Sequence, residues 1–159
     1  MIRILLPLAM IAALFFGPMF SEETKGQLSG KTVSIVTGEH FIGDMVECVR
    51  DMKLPVGEEC ESTGELNDST LVGDALSWSA LLAAVAAVLG VPGLLPYIGR
   101  MTSIVTVVSG VAMLGSLGLF MTTMIGAEPG LGAVQWGAYL TAGLALLTVI
   151  SGLSGMRGR

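Results

Sequence analysis

Four long windows without a charged residue constrain most strongly what this chain can fold into. The windows are residues 4–21, 75–99, 101–127 and 129–156, and they contain 18, 25, 27 and 28 residues. A helix needs about 20 apolar residues to cross the roughly 30 Å hydrocarbon core of a bilayer. Each window is therefore long enough for one membrane span, and the sequence predicts an integral membrane protein.

The composition excludes several classes of function. Of the 159 residues, 52% are apolar and 13% are charged, whereas about a quarter of the residues of a soluble domain are charged. A water-soluble enzyme and a disordered chain are therefore not expected. The net charge of −5 offers no basic surface to phosphates, so nucleic acid is not an expected partner. The expected partners are membrane lipids and other membrane proteins, in a hetero- or homo-oligomer.

The predicted fold is a four-helix transmembrane bundle with a small disulfide-stapled α+β domain outside the membrane, between spans 1 and 2. The four spans are predicted at residues 1–20, 76–99, 102–125 and 133–154. They are connected by an acidic extracytoplasmic domain at 21–75, a cytoplasmic turn at 100–101, a short external loop at 126–132 and a cytoplasmic tail at 155–159. The first span resembles a signal peptide, but no A-x-A motif precedes Ser21, which favours an uncleaved signal-anchor helix.

The arginines outside the acidic domain determine the predicted orientation. If both termini lie in the cytoplasm, all four of these arginines lie on the cytoplasmic side; they are Arg3, Arg100, Arg157 and Arg159. Short cytoplasmic loops of membrane proteins carry such an excess of positive charge. Residues 22–74, whose twelve acids and four bases give a net charge of −8, then lie outside. We therefore expect a protein of the plasma membrane or an inner membrane, with residues 21–75 extracytoplasmic.

Aromatic side chains with a polar tip give a second indication of membrane depth, because they prefer the interface between lipid and water. In the predicted topology, Trp78, Trp136 and Tyr139 lie near the outer interface. Tyr97 lies near the inner interface. These four residues are the predicted interface anchors.

Spans 2 to 4 contain no Asp, Glu, Lys, Arg or His side chain. Such side chains inside a membrane usually mark ion paths, proton relays or cofactor ligands, so we predict no catalytic residue and no cofactor there. A channel or small-solute transporter lined by Ser and Thr is the alternative interpretation. Its first polar positions are Thr106, Ser109 and Thr141.

Small residues recur in these spans at helical spacing, which lets helix backbones approach closely and associate in lipid. The predicted helix-packing and partner-docking residues are Ala80, Ala84, Ala87, Gly110, Ala112, Gly115, Ser116, Gly118, Ala138 and Ala142. Packing inside the chain's own bundle explains such a pattern. Docking of a partner helix on one face explains it too, and the two interpretations are compatible.

The external domain has its own local pattern. Residues 31–37 are rich in β-branched side chains and predict a strand, which follows a polar, loop-like segment at 21–30. Apolar residues recur at helical spacing over 39–53, so a short amphipathic helix is predicted there. His40, Asp44 and Glu47 share one face of that helix and are the candidates for a metal site or for a membrane-surface enzyme. A solvated acidic face is the favoured interpretation, so neither a metal site nor an enzyme is predicted.

Both cysteines, Cys48 and Cys60, belong to this external domain. An isolated pair on the oxidising side of a membrane predicts a disulfide. Closing a loop of this size stabilises a fold by about 3 kcal/mol in the chain-entropy model. The spacing differs from the C-x-x-C motif of redox enzymes, so the predicted role of the pair is structural.

The order of these parts resembles that of the claudin-like four-span proteins, which have both termini inside, a large first external loop and a cysteine pair in that loop. Gly43 and Cys48 keep the spacing of the family's Gly-Leu-Trp-x-x-Cys signature, and Cys60 follows at nearly the family's distance. Both signature tryptophans are absent, and Asp44-Met45 replaces Leu-Trp. The resemblance implies a disulfide-bonded loop packed as a small sheet above a left-handed four-helix bundle, and a role in association.

These features together favour one function over the alternatives. We expect a non-enzymatic accessory or scaffolding subunit that docks in a larger membrane protein assembly. The predicted contacts are the Gly/Ala helix faces in the membrane and the acidic domain outside it.

The cysteine pair yields a direct prediction. Mass spectrometry of a non-reduced digest is expected to find the Cys48 and Cys60 peptides joined, because no other cysteine is present in the chain. Two free thiols in freshly isolated protein would contradict the disulfide.

Overall fold

The computed structural model describes residues 2–26, 30–39, 42, 50–51, 71–91, 99–126 and 131–156. In chain order, its elements are helix α1 (Ile2–Phe16), strands β1 (Pro18–Gly26) and β2 (Gly30–Thr37), and helices α2 (Leu71–Gly90), α3 (Gly99–Gly126) and α4 (Trp136–Met156). A short 3-10 turn, Leu131–Ala133, precedes α4. Helices α2, α3 and α4 are long and apolar enough to cross a membrane, whereas α1 is shorter.

The first helix ends earlier than the sequence predicts. Residues 18–20, which the predicted first span includes, belong to strand β1. The cause is Pro18, which has no N–H for the helix and disfavours helical geometry at the residue before it. The span predicted over residues 1–20 is therefore a 15-residue helix followed by extended chain.

The other three helices match the predicted spans in number and order but differ at their ends. Helix α2 begins at Leu71 rather than at residue 76, and Asp74 in its first turn complements the positive end of the helix dipole. It ends at Gly90, two residues before Pro92, which is where a proline terminates a helix. Helix α4 begins at Trp136 rather than at residue 133 because the preceding residues form the 3-10 turn. Residues 92–98, including the predicted anchor Tyr97, lie outside the described residues.

Strands β1 and β2 form an antiparallel hairpin that follows directly from α1. The register runs from Pro18↔Thr37 to Gly26↔Gly30, with a bulge between Pro18 and Phe20. The strand predicted at 31–37 is confirmed. The loop predicted at 21–30 is wrong for residues 21–26, which pair with β2. The predicted helix over 39–53 lies largely outside the described residues, as do both cysteines.

The four helices pack in a ring in chain order: α1 contacts α2 and α4, and α3 contacts the same two neighbours. Helices α1 and α3 lie across the diagonal and share a small contact. Every helix contributes fully buried side chains to one core, among them Met10, Leu14, Leu76, Met113, Phe120 and Ala145. Unbranched methionines suit such a core because they fill irregular gaps.

Helices α3 and α4 approach each other closely at two glycines. A Cβ atom at Gly110 would lie 2.9 Å from the carbonyl oxygen of Ala145 on α4. A Cβ atom at Gly152 would lie 3.0 Å from the carbonyl oxygen of Ser103 on α3. These two oxygens are backbone atoms, which cannot move aside as a flexible side chain does. The atoms nearest to the added Cβ are Cγ2 of Val149 at 2.8 Å and Cγ2 of Val107 at 2.5 Å, and both belong to β-branched side chains that are stiff at χ1. Glycine is therefore required at both positions for α3 and α4 to pack at this distance.

This packing predicts that Gly→Ala substitutions destabilise the fold at the two crowded glycines and not at an open one. Gly110→Ala and Gly152→Ala are expected to lower the free energy of unfolding by about 1–3 kcal/mol, the usual cost of overpacking. Gly143→Ala, on the outer face of α4 where an added Cβ meets nothing within 4 Å, is the matched control. It is expected to be neutral or stabilising, because alanine is the better helix former. Thermal unfolding in detergent measures all three, and equal midpoints would contradict the close contact.

Candidate functional site

The predicted packing residues divide into an inward and an outward group. Those buried between the helices are Ala87, Gly110, Ser116 and Ala138, and those partly buried are Ala80, Ala112 and Ala142. Three are exposed on the outside of the ring, namely Ala84 on α2 and Gly115 and Gly118 on α3. Packing within the chain accounts for the first two groups. Within the exposed group, Gly115 and Gly118 on α3 form the candidate docking site.

The contact between α2 and α3 accounts for Ser116. Its hydroxyl proton is shared between two carbonyl oxygens. One is that of Ala75 on α2, at 2.8 Å, and the other is that of Ala112 on its own helix, at 2.9 Å. One turn further along α2, the Ser79 hydroxyl donates to the Leu76 carbonyl at 2.8 Å and lies 3.4 Å from the Met113 sulfur. These bonds satisfy buried hydroxyls and place residues 75 and 79 of α2 level with residues 116 and 113 of α3.

The outward surface of α3 has a different character, and we call it the α3 outer face: Val108, Val111, Gly115, Gly118, Leu119 and Thr122, all exposed. An added Cβ atom at Gly115 or Gly118 meets nothing within 4 Å. The hydroxyl of Thr122 donates to the Leu119 carbonyl at 2.8 Å, so its donor is already used. The face is therefore apolar, with a shallow depression at the two glycines.

The positions named for a pore are buried in the helix contacts. Thr106, Ser109 and Thr141 are at most 1% exposed. Their hydroxyls donate to carbonyls one turn earlier in the same helix, at 2.9, 2.9 and 2.8 Å. Such back-bonding is the usual way for Ser and Thr to satisfy their donors in apolar surroundings. The geometry of these hydroxyls is that of a packed helix interface.

The three described aromatic anchors project from the surface of the bundle. Trp136 and Tyr139 are 60% and 57% exposed in the first turn of α4, and Trp78 on α2 is 44% exposed. Exposed aromatic rings on apolar helices suit the headgroup region of a bilayer. The placement of Trp136 and Tyr139 at the interface stays a prediction. Trp78 differs, because the adjacent Ser79 lies level with Met113, at the middle of the candidate span Met101–Ile125.

The candidates for metal or catalytic chemistry belong to the segment between strand β2 and helix α2. His40, Asp44 and Glu47 are outside the described residues. In the part of the chain that the structure describes, no group of three or more His, Cys, Asp or Glu side chains could hold a metal ion.

Three glycines that are not among the predicted site residues attach the hairpin to the helices, namely Gly17, Gly38 and Gly137. A Cβ atom at Gly137 would collide with the Pro18 carbonyl oxygen and lie 2.7 Å from the Gly17 carbonyl carbon. A Cβ atom at Gly38, at the other end of the hairpin, would collide with the Leu14 carbonyl oxygen. Both ends of the hairpin therefore lie directly on helix backbone. The sequence signal that could have identified two of these glycines is their position, because Gly17 directly precedes strand β1 and Gly38 directly follows strand β2.

Hydrogen bonds complete this attachment. The backbone amide of Gln135 donates to the Met19 carbonyl at 2.8 Å. Phe20 forms an isolated β-bridge with Val134. Beyond the second strand, the Ile42 amide donates to the Gly38 carbonyl at 3.1 Å, and Ile42 is buried in the core. The base of the hairpin is thus part of the bundle.

Comparison with known proteins finds no matching family model, no matching curated protein and no matching solved structure. The claudin-like layout accordingly stays a prediction from the sequence.

Proposed function

We propose that the protein is a four-span accessory subunit that docks a partner's transmembrane helix on the α3 outer face. The observation that carries this proposal is the outward position of Gly115 and Gly118. Glycine in a helix interior costs about 1 kcal/mol relative to alanine. At Gly110 and Gly152, contact with the neighbouring helix offsets that cost within the chain. At Gly115 and Gly118, close packing of a helix from another chain would offset the cost of glycine in the same way.

The chemistry of the partner follows from the chemistry of the face. Lipid tails are as apolar as Val or Leu, so two helices associate in a membrane chiefly through close van der Waals packing at small residues. Residues 101–127 contain no charged side chain, and a partner with an unpaired charge at this face would bear its full desolvation cost. The partner is therefore an apolar helix, in a hetero- or homo-oligomer.

The proposed topology places both termini in the cytoplasm and residues 21–75 outside, where their acidic character supplies a second contact. This is also the layout that the claudin-like resemblance implies. Support comes from the arginine positions and from the hairpin, whose base lies at the end of the bundle where α1 ends and α4 begins.

Bulk on the α3 outer face tests the docking. Gly115→Leu and Gly118→Leu are expected to release the protein from a larger complex on native gels, because a leucine side chain fills the depression. The thermal midpoint of the isolated protein is expected to stay unchanged or to rise, since an added Cβ meets open space and leucine is a better helix former than glycine. Ala112 and Ala142 are partly buried, so bulk there would disturb the bundle and the docking together.

Two control variants lie on the outer face of α4. Gly143→Leu adds the same bulk at a lone outward glycine, and Leu147→Ile conserves volume at an exposed position. Both are expected to leave the complex intact. A wild-type protein that migrates alone after gentle solubilisation, or a complex that survives both α3 substitutions, would refute the proposal.

Side-specific labelling tests the topology. In a variant whose two cysteines are replaced by serine, Val33→Cys is expected to react with an impermeant thiol reagent in intact cells, because Val33 is exposed on the hairpin. Gly158→Cys, between the two terminal arginines, is expected to react only after the membrane is opened. The reverse labelling would overturn the orientation.

A further inference from the structure

We propose that the first membrane crossing is completed by extended chain rather than by helix alone; this inference rests on the four-span topology proposed above. Helix α1 has 15 residues, which at 1.5 Å per residue span about 22 Å. The hydrocarbon core of a bilayer is about 30 Å thick. The helix is therefore about 8 Å too short to cross by itself.

The residues that follow α1 supply the missing length. Pro18, Met19 and Phe20 are extended, and at about 3.3 Å per residue they span about 10 Å. Met19 and Phe20 are 0% and 7% exposed, so these apolar side chains are enclosed by the helices. Helix and extended segment together reach about 32 Å, which matches the hydrocarbon core.

The packing of Phe20 places the extended segment at membrane depth. Its ring centroid lies 6.1 Å from that of Phe120 on α3. Phe120 is fully buried and lies five residues before the end of the candidate span Met101–Ile125. The extended chain thus runs beside a part of α3 that is itself apolar enough to be inside the membrane.

Non-helical backbone is tolerated at that depth only if protein satisfies its polar groups. Here the Gly17 amide donates to the Ala13 carbonyl at 2.9 Å, and the Met19 carbonyl accepts from the Gln135 amide at 2.8 Å. Phe20 pairs with Val36 on one side and with Val134 on the other. Pro18 has no N–H to satisfy. These contacts give the segment hydrogen bonds to protein rather than to water, as lipid requires.

Glycine makes this arrangement sterically possible. Gly17 and Gly137 bring the chain leaving α1 against the first turn of α4, and a Cβ atom at Gly137 would lie 2.8 Å from the Pro18 nitrogen. The same contact links Met19 to Gln135 and so to the neighbouring Trp136. The depth of Trp136 in the bilayer therefore reports the depth of the extended segment.

Tryptophan fluorescence measures that depth. The chain has two tryptophans, so Trp78→Phe leaves Trp136 as the sole emitter and Trp136→Phe leaves Trp78. Each variant is reconstituted in phosphatidylcholine vesicles whose acyl chains carry bromine either near the headgroup or near the chain end. Trp136 is expected to be quenched more strongly by the shallow bromine. Trp78 is expected to be quenched more strongly by the deep bromine, because the adjacent Ser79 lies level with Met113, about 10 Å deeper along α3 than Phe120.

Emission of Trp136 at the wavelength of a water-exposed indole, with no quenching by either lipid, would overturn the composite crossing. Labelling of a cysteine added before Met1 and of Val33→Cys in the cysteine-free background separates this outcome from a failure of the topology. Reaction from opposite sides, together with a water-exposed Trp136, refutes the composite crossing alone. Reaction of both positions from the same side refutes the four-span topology on which it rests.

Discussion

Close backbone contact at glycines is the interaction on which the rest of this structure depends. In lipid, apolar side chains gain little by leaving their surroundings, so helices must associate through packing at short range. Gly110 and Gly152 allow α3 and α4 to approach, and Gly17 and Gly137 allow the chain leaving α1 to lie on α4. Larger residues at these positions would separate the backbones, and at Gly137 they would also disturb the neighbouring hydrogen bond between the Gln135 amide and the Met19 carbonyl.

The same physics separates glycines that complete the fold from glycines that are available to a partner. Gly110 meets backbone atoms of α4, whereas Gly115, less than two turns away on the same helix, meets open space. The buried hydroxyls follow the inward pattern, since Ser116 and Thr141 bond to backbone carbonyls within the bundle. These hydroxyls are thus used inside the bundle, whereas the α3 outer face is apolar and carries two glycines, as the proposed accessory role requires.

The elements that are predictable from the sequence are those with a local signal. The elements that depend on contacts between residues distant in the sequence are not predictable in this way. Helices α2, α3 and α4 and strand β2 were predicted because charge-free length and β-branched residues are local signals. Strand β1 was missed because residues 22–25 are charged or polar and poor strand formers, and its pairing with β2 and Val134 supplies what its composition lacks. The inward and outward glycines could not be told apart, because the outer face of a membrane helix is as apolar as its inner face and leaves no amphipathic signal.

Photo-cross-linking in native membranes tests the central claim, the docking of another helix on α3, most directly. A photoreactive side chain at Val111, which is 54% exposed on the α3 outer face, is compared with one at Leu147, which is 50% exposed on α4. If a partner helix covers the α3 outer face, Val111 yields a protein adduct while Leu147 yields lipid adducts. Lipid adducts alone from Val111 would contradict the account.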